Sequence, residues 1–178
     1  MRIVNGKYKA KKIPVPKNFK GRPTTSFAKE GLFQLLRNRY HFENLDVLDL
    51  FAGSGNISYE FISMAVKSVT AVERNSSYTR FINKQVEKFF PGQLNMITAD
   101  AYTFLKKGGL QYDVIFADPP YDDEKLKDIP DLALNNESLK ENAMVIVEHS
   151  DSNDFSDHLN LVESRRFGKV NFSFFQKK

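Results

Sequence analysis

A chain of 178 residues with 41% hydrophobic content is long enough for one globular domain with a core of its own. It contains no cysteine, which excludes disulfides, thiolate metal sites and cysteine nucleophiles. The net charge of +4 is unevenly spread: nine of the 26 basic residues precede the first acid, Glu30, leaving 17 basic against 22 acidic side chains in the remainder.

That asymmetry predicts a basic arm that meets a polyanion, attached to a mildly acidic body. Residues 1–24 form the arm and 25–178 the body of a single domain. The arm carries Arg2, Lys7, Lys9, Lys11, Lys12 and Arg22. Within it, Asn5-Gly6 between Ile3-Val4 and Lys7-Tyr8-Lys9 predicts a short β-hairpin closed by a type I′ turn. Met1 to Gly21 is too polar for a signal peptide, and no apolar run approaches the ~18 residues of a membrane span. A soluble cytoplasmic protein is expected.

Gly21 to Thr25 is rich in turn formers and leads to a first helix, which Thr25 or Ser26 can cap. Phe27, Leu32, Phe33, Leu35 and Leu36 give that helix its apolar stripe, and Lys29, Arg37 and Arg39 its polar side. From residue 46, short apolar runs near 46–51, 68–73, 94–99, 112–117 and 143–148 alternate with helical segments, the pattern of a parallel sheet with crossover helices. Asn75 caps one helix; weaker helical patterns cover 101–107 and 124–134. Residues 159–163 and 169–175, joined by a turn at Gly168, predict an antiparallel pair.

The run Asp46 to Phe51 opens into Ala52-Gly53-Ser54-Gly55, a buried strand entering a glycine-rich turn before a helix. Such a junction suits a nucleotide, because glycine lets backbone approach a ligand and the helix N-terminus offers unpaired N–H groups. The alternative is a tight strand-to-helix turn and nothing more. Ser58 stands where a dinucleotide fingerprint needs its third glycine, which disfavours a dehydrogenase. Asp49, beneath the turn, suits the ammonium of a methionine tail. Glu73 ends the next strand twenty residues after Gly53, where a carboxylate meets ribose hydroxyls, and Asp100-Ala101 end the third, beside an adenine ring. Asp100 can also be an ordinary helix cap.

After the fourth strand comes Asp118-Pro119-Pro120-Tyr121. Two prolines stiffen the turn. Methyl transfer to a planar exocyclic amine needs acceptors for both N–H groups, which Asp118 and a carbonyl of the proline segment supply, and the Tyr121 ring can stack on the base. Arg22 and Thr24 can bind phosphate, or Arg22 the cofactor's carboxylate end. His149 faces the target base or is a structural residue.

The run Val47 to Gly55, the Asp118 to Tyr121 motif, Arg22 to Thr25 (RPTT), the opening MRIVNGKYKA and the Glu148-His149 pair together resemble the RsmD-type family. That resemblance implies a class I S-adenosylmethionine-dependent methyltransferase: a Rossmann-like α/β fold with a mostly parallel seven-stranded sheet, an antiparallel C-terminal strand and an N-terminal β-hairpin. It implies transfer of a methyl group from S-adenosyl-L-methionine to N2 of a guanine in 16S ribosomal RNA. The substrate would be ribosomal RNA or the small ribosomal subunit, handled by a monomer without metal or membrane. By the same resemblance Asp49, Phe51, Gly53, Gly55, Glu73, Arg74, Asp100 and Ala101 meet the cofactor and Asp118 to Tyr121 the amine. Ser26 to Lys29 after RPTT, and Asn56, Ser58, Tyr59 and Phe61 after the glycines, depart from the family pattern. A DNA adenine-N6 or protein glutamine-N5 methyltransferase and a non-catalytic RNA-binding module remain alternatives.

Overall fold

The structure is a computed structural model and describes residues 1–21, 23–107, 111–136 and 139–177. Its helices are α1 (Ser26–Arg37), α2 (Asn56–Ser63), α3 (Ser76–Phe89), α4 (Ala101–Lys107) and α5 (Ile129–Leu134). Its strands are β1 (Asp46–Leu50), β2 (Ser68–Glu73), β3 (Asn95–Thr98), β4 (Tyr112–Ala117), β5 (Leu139–His149), β6 (Leu161–Phe167) and β7 (Val170–Phe175). They form one sheet in the order β3-β2-β1-β4-β5-β7-β6. Five strands run parallel, and β7 pairs antiparallel with both β5 and β6. Among the described residues no helix is long and apolar enough to cross a membrane.

Strand side chains alternate between two cores. Val47, Val114, Phe116, Met144 and Ile146 face α1, α2 and α3, packing on Leu32, Phe33, Phe61 and Ile82. Leu48, Leu50, Ile115, Ala117, Val145 and Val147 face α4 and α5, packing on Leu105 and Ile129. The same period sends Asp49, Asp118 and Glu148 to the α1–α3 side of neighbouring strands.

Thr25 caps α1 by accepting the Ala28 N–H at 3.2 Å. Two expectations for this helix fail. Phe27 is 64% exposed, against the edge of the Phe167 ring, and Lys29 is buried. Lys29 Nζ donates to the Arg2 carbonyl at 2.8 Å, to Asn56 Oδ1 at 2.9 Å and to Glu60 Oε1 at 2.8 Å. Two departures from the family pattern, Lys29 and Asn56, are therefore partners.

The N-terminal hairpin exists but is not closed by a two-residue turn. Arg2 and Lys12 form its antiparallel bridge, and of Asn5 and Gly6 only the glycine takes a positive φ, +72°. A type I′ turn needs positive φ at both positions; here the loop instead wraps the end of α2. Glu60 accepts the Val4 and Asn5 N–H groups at 2.9 and 3.1 Å, and Lys7 and Tyr8 donate to the Ser63 carbonyl and hydroxyl. A Cβ on Gly6 would lie 2.0 Å from the Ser63 carbonyl oxygen, which makes glycine obligatory there.

Candidate active site

At the C-terminal rim of the sheet lies a cavity of about 950 Å³. Asp49, Gly53, Glu73, Asp100, Asp118 and Tyr121 all line it, so the structure brings the three strand-end carboxylates and the proline motif together. A smaller cavity, about 540 Å³, lies by Leu139 to Asn142 at the start of β5, away from these residues.

The glycine-rich turn is built from left-handed residues: Phe51, Gly53 and Gly55 have φ of +61°, +56° and +81°. Gly55 is enforced twice, since a Cβ would also come 2.7 Å from the Tyr59 ring. Phe51 accepts the strained conformation and sets its ring edge-on to Tyr102, 5.6 Å between centroids. Glu73 clamps the turn, Oε2 accepting the Gly53 N–H at 2.9 Å and Oε1 the Asn75 N–H at 2.7 Å. Arg74 is exposed on the cavity wall beside it. Asp100 caps α4: its Oδ1 accepts the Thr103 N–H and hydroxyl, both at 2.9 Å, which holds the carboxyl below its usual pKa. Cap and cavity wall are thus one residue, with Ala101 next to it.

Asp49 is 2% exposed and its carboxylate accepts the Ser58 hydroxyl. Burial pushes the carboxyl up to about 7 against that hydrogen bond, and the charges of Glu73 and Glu148 add to the push. Ser58, in the place of a third glycine, thus supports the acid below the turn. Burial, then the charges of Glu148 and Asp49, hold the Asp118 carboxyl well above the ordinary value. Pro119 is buried, and Pro120 is exposed with its carbonyl accepting the Asp123 N–H at 2.9 Å.

Motif reading left Glu148 outside the site, and the structure ties it to two residues of the cavity wall. Glu148 is 1% exposed; Oε2 accepts the Thr24 hydroxyl at 2.7 Å and Oε1 the Tyr121 hydroxyl at 3.3 Å. Burial pushes its carboxyl up to about 7 although both hydroxyls oppose the rise. The available signal was its place at the end of the fifth strand, one position beyond the Ala117–Val147 pairing and so level with Asp118. Phe19 and Tyr78 were also missed as cavity residues. Their rings meet edge-on at 5.2 Å, and the Tyr78 hydroxyl donates to the Asn18 carbonyl and accepts the Lys20 N–H. No pattern in the sequence marks that contact.

The expected phosphate contacts divide differently. Thr24 is buried and its hydroxyl is committed to Glu148, so it is not a phosphate donor in this structure. Arg22 lies outside the described residues. Arg2, Lys7, Lys9 and Lys12 are exposed, but Lys7 sits at the Ser63 end of α2, roughly 10 Å along that helix from the cavity end at Asn56. Lys11 is half-buried, with Nζ 4.8 Å from the Phe89 ring centroid and 5.3 Å from that of Tyr8. His149 is buried and is not among the residues lining the cavity; its Nε2 lies 2.7 Å from the Ser173 hydroxyl, and burial lowers its pKa.

The family described as Conserved hypothetical protein 95 matches residues 1–176. This chain belongs to that family, the RsmD family. Its relatives include Ribosomal RNA small subunit methyltransferase D of Buchnera aphidicola subsp. Baizongia pistaciae, 33% identical over 152 residues, 85% of this chain and 77% of the relative. The protein of that name from Haemophilus influenzae is 30% identical over 182 residues, 99% of this chain and 93% of the relative. Among solved structures, the putative methyltransferase yhhF from Escherichia coli superposes with a TM-score of 0.85 at 26% identity, covering 100% of this chain and 98% of that one. The family fold is the class I S-adenosylmethionine-dependent methyltransferase fold, with its mostly parallel sheet and antiparallel final pair.

Proposed function

We propose that this member of the family transfers a methyl group from S-adenosylmethionine to the exocyclic N2 of a guanine in 16S ribosomal RNA. One observation carries the reading: Asp49 and Asp118, on the same face of adjacent paired strands, open into one cavity. Below the glycine turn, a buried carboxyl whose protonation is half-favoured at neutral pH suits an arriving ammonium group, which would ionise it. Glu73 and Asp100 sit where ribose and adenine would pass, and Phe51 and Ala101 wall the same space. The cofactor fits this donor set, and when bound it supplies an electrophilic methyl on a positively charged sulfur.

The chain's own residues then hold the acceptor. A cationic cofactor in the cavity favours the ionised form of Asp118, which is an acceptor only. Guanine presents N1–H and the N2 amine side by side, matching such a group, whereas adenine sets its N6 amine beside a bare acceptor nitrogen. The second amine contact falls to a carbonyl of the Pro119-Pro120 segment, both residues of which line the cavity. Tyr121, 45% exposed at the mouth, offers a face for the unstacked base. The proton displaced from the amine passes to Asp118, whose raised proton affinity suits it as acceptor, and on to water. A ribosomal substrate places this activity in the cytoplasm.

The test is transfer of a labelled methyl group from S-adenosylmethionine to small-subunit ribosomal RNA, as free RNA and as assembled particles, from cells lacking the protein. Digestion to nucleosides should return the label as N2-methylguanosine. Label in N6-methyladenosine, in protein, or in nothing would overturn the reading.

A further inference from the structure

Glu148 joins two stretches of chain that are remote in sequence, the segment before α1 through Thr24 and the proline motif through Tyr121. We propose that it is a positioning residue for methyl transfer, fixing the Tyr121 ring over the cavity by holding its hydroxyl. The proposal rests on the methyl-transfer reading and deepens it.

Three observations lead there. First, the Glu148 side chain is 1% exposed, on the sheet face that it shares with Met144 and Ile146. A buried charge is costly, and an apolar residue of similar volume commonly serves stability as well or better, so packing alone does not account for an acid at 148. Secondly, both oxygens are used, each by a hydroxyl from a different segment, and both donors line the cavity while Glu148 itself does not. Its influence on a substrate therefore passes through Thr24 and Tyr121. Thirdly, the Tyr121 ring is 45% exposed. A solvent-facing tyrosine samples several rotamers, and fixing one costs side-chain entropy that would otherwise fall on the step that docks the base. A hydroxyl anchored to a group on β5 meets that cost in the folded protein, leaving the ring preorganised beside Asp118.

The experiment compares wild type, Tyr121→Phe, Glu148→Gln and the double variant. Tyr121→Phe keeps the ring and removes only the hydroxyl. Single-turnover methyl transfer to ribosomal RNA should fall about tenfold in Tyr121→Phe and at least as far in Glu148→Gln, on the scale of small misplacements of reacting groups. Affinities for S-adenosylhomocysteine and RNA should stay within about twofold, and the double variant should be no slower than Glu148→Gln. Additive losses, or a wild-type rate in Tyr121→Phe, would overturn the proposal. A second measurement requires no turnover: with 3-fluorotyrosine incorporated, the resonance missing from Tyr121→Phe identifies position 121, and Glu148→Gln should shift and broaden it. An unmoved resonance also overturns the tether, even if wild type proves inactive on ribosomal RNA, an outcome that would count against the methyl-transfer reading alone.

Discussion

Lys29 and Glu60 meet at 2.8 Å with side-chain exposures of 2% and 0%, and between them they hold the N-terminal arm against α2. Glu60 takes two backbone N–H groups of the arm and Lys29 its Arg2 carbonyl, so the pair satisfies main-chain groups that would otherwise be buried without partners.

Removing one partner leaves the other charge buried and uncompensated. Lys29→Met should destabilise the protein by about 3–5 kcal/mol. Chemical denaturation measures the loss, and amide exchange should show Val4 and Asn5 losing protection first, because their acceptor is then free to turn toward water.

The acid below the glycine turn gives a pH signature. The Asp49 carboxyl is raised to about 7 in the folded protein, so the native state binds a proton that the unfolded chain releases near its ordinary value of 3.8. Asp49 therefore imposes no penalty at low pH, and stability is lost as pH rises from about 4 through about 7. Asp49→Asn should flatten the fall between about pH 4 and 7, seen as a difference between the two melting-temperature profiles. Binding of S-adenosylhomocysteine to wild type should strengthen over the same interval as the carboxylate forms; affinity independent of pH would contradict an Asp49–ammonium contact.

Most of the sheet was legible from the chain itself. Runs such as Val114 to Ala117 and Ala143 to Val147 are apolar on both faces, which only a strand covered by helices on each side can bury. Asp49, Glu73, Asp100 and Asp118 could be placed because each lies within two residues of a strand's end, where position in sequence fixes position on the rim. Glu148 also ends a strand, but nothing local distinguishes it from a surface acid until Thr24 arrives from 124 residues away. Lys29 misled for the same reason: its helix periodicity is ambiguous, and its burial depends on Asn56, Glu60 and Arg2. Asn5-Gly6 has the composition of a hairpin turn, yet contacts with Ser63 and Glu60 outweigh that local preference.

Asp118→Asn separates stability from activity. Burial and the neighbouring Glu148 and Asp49 penalise the charged form of Asp118, so the amide should make the protein without cofactor more stable at pH values where the carboxyl of the unfolded chain is ionised. Methyl transfer should fall at least a hundredfold, in line with the loss of a group positioned for the transition state, while calorimetry finds S-adenosylhomocysteine affinity little changed. Retained turnover would remove Asp118 from the mechanism.

The arm is testable by salt. Replacing Lys7, Lys9 and Lys12 together by alanine should reduce the slope of log K for RNA against log salt by up to ~0.7 to 0.9 for each phosphate that the arm no longer neutralises. Lys11→Ala should act differently, removing cation–π interactions with Phe89 and Tyr8 worth about 0.5–1 kcal/mol and lowering thermal stability. An unchanged salt slope in the triple variant would dissociate the arm from RNA.

The pairing of Asp49 with Phe116 and Leu50 with Ala117 fixes the spacing between the two halves of the cavity by main-chain hydrogen bonds. That ladder ties the Asp49 side of the cavity directly to the Asp118 side, and slipping it by one residue would turn every inward side chain of the strand to the opposite core. A scaffold of this kind cannot retune its reaction by gradual drift of the centre. Altered choice of target must come from the peripheral loops, and it is there that laboratory evolution toward other nucleotides would find its tolerated substitutions.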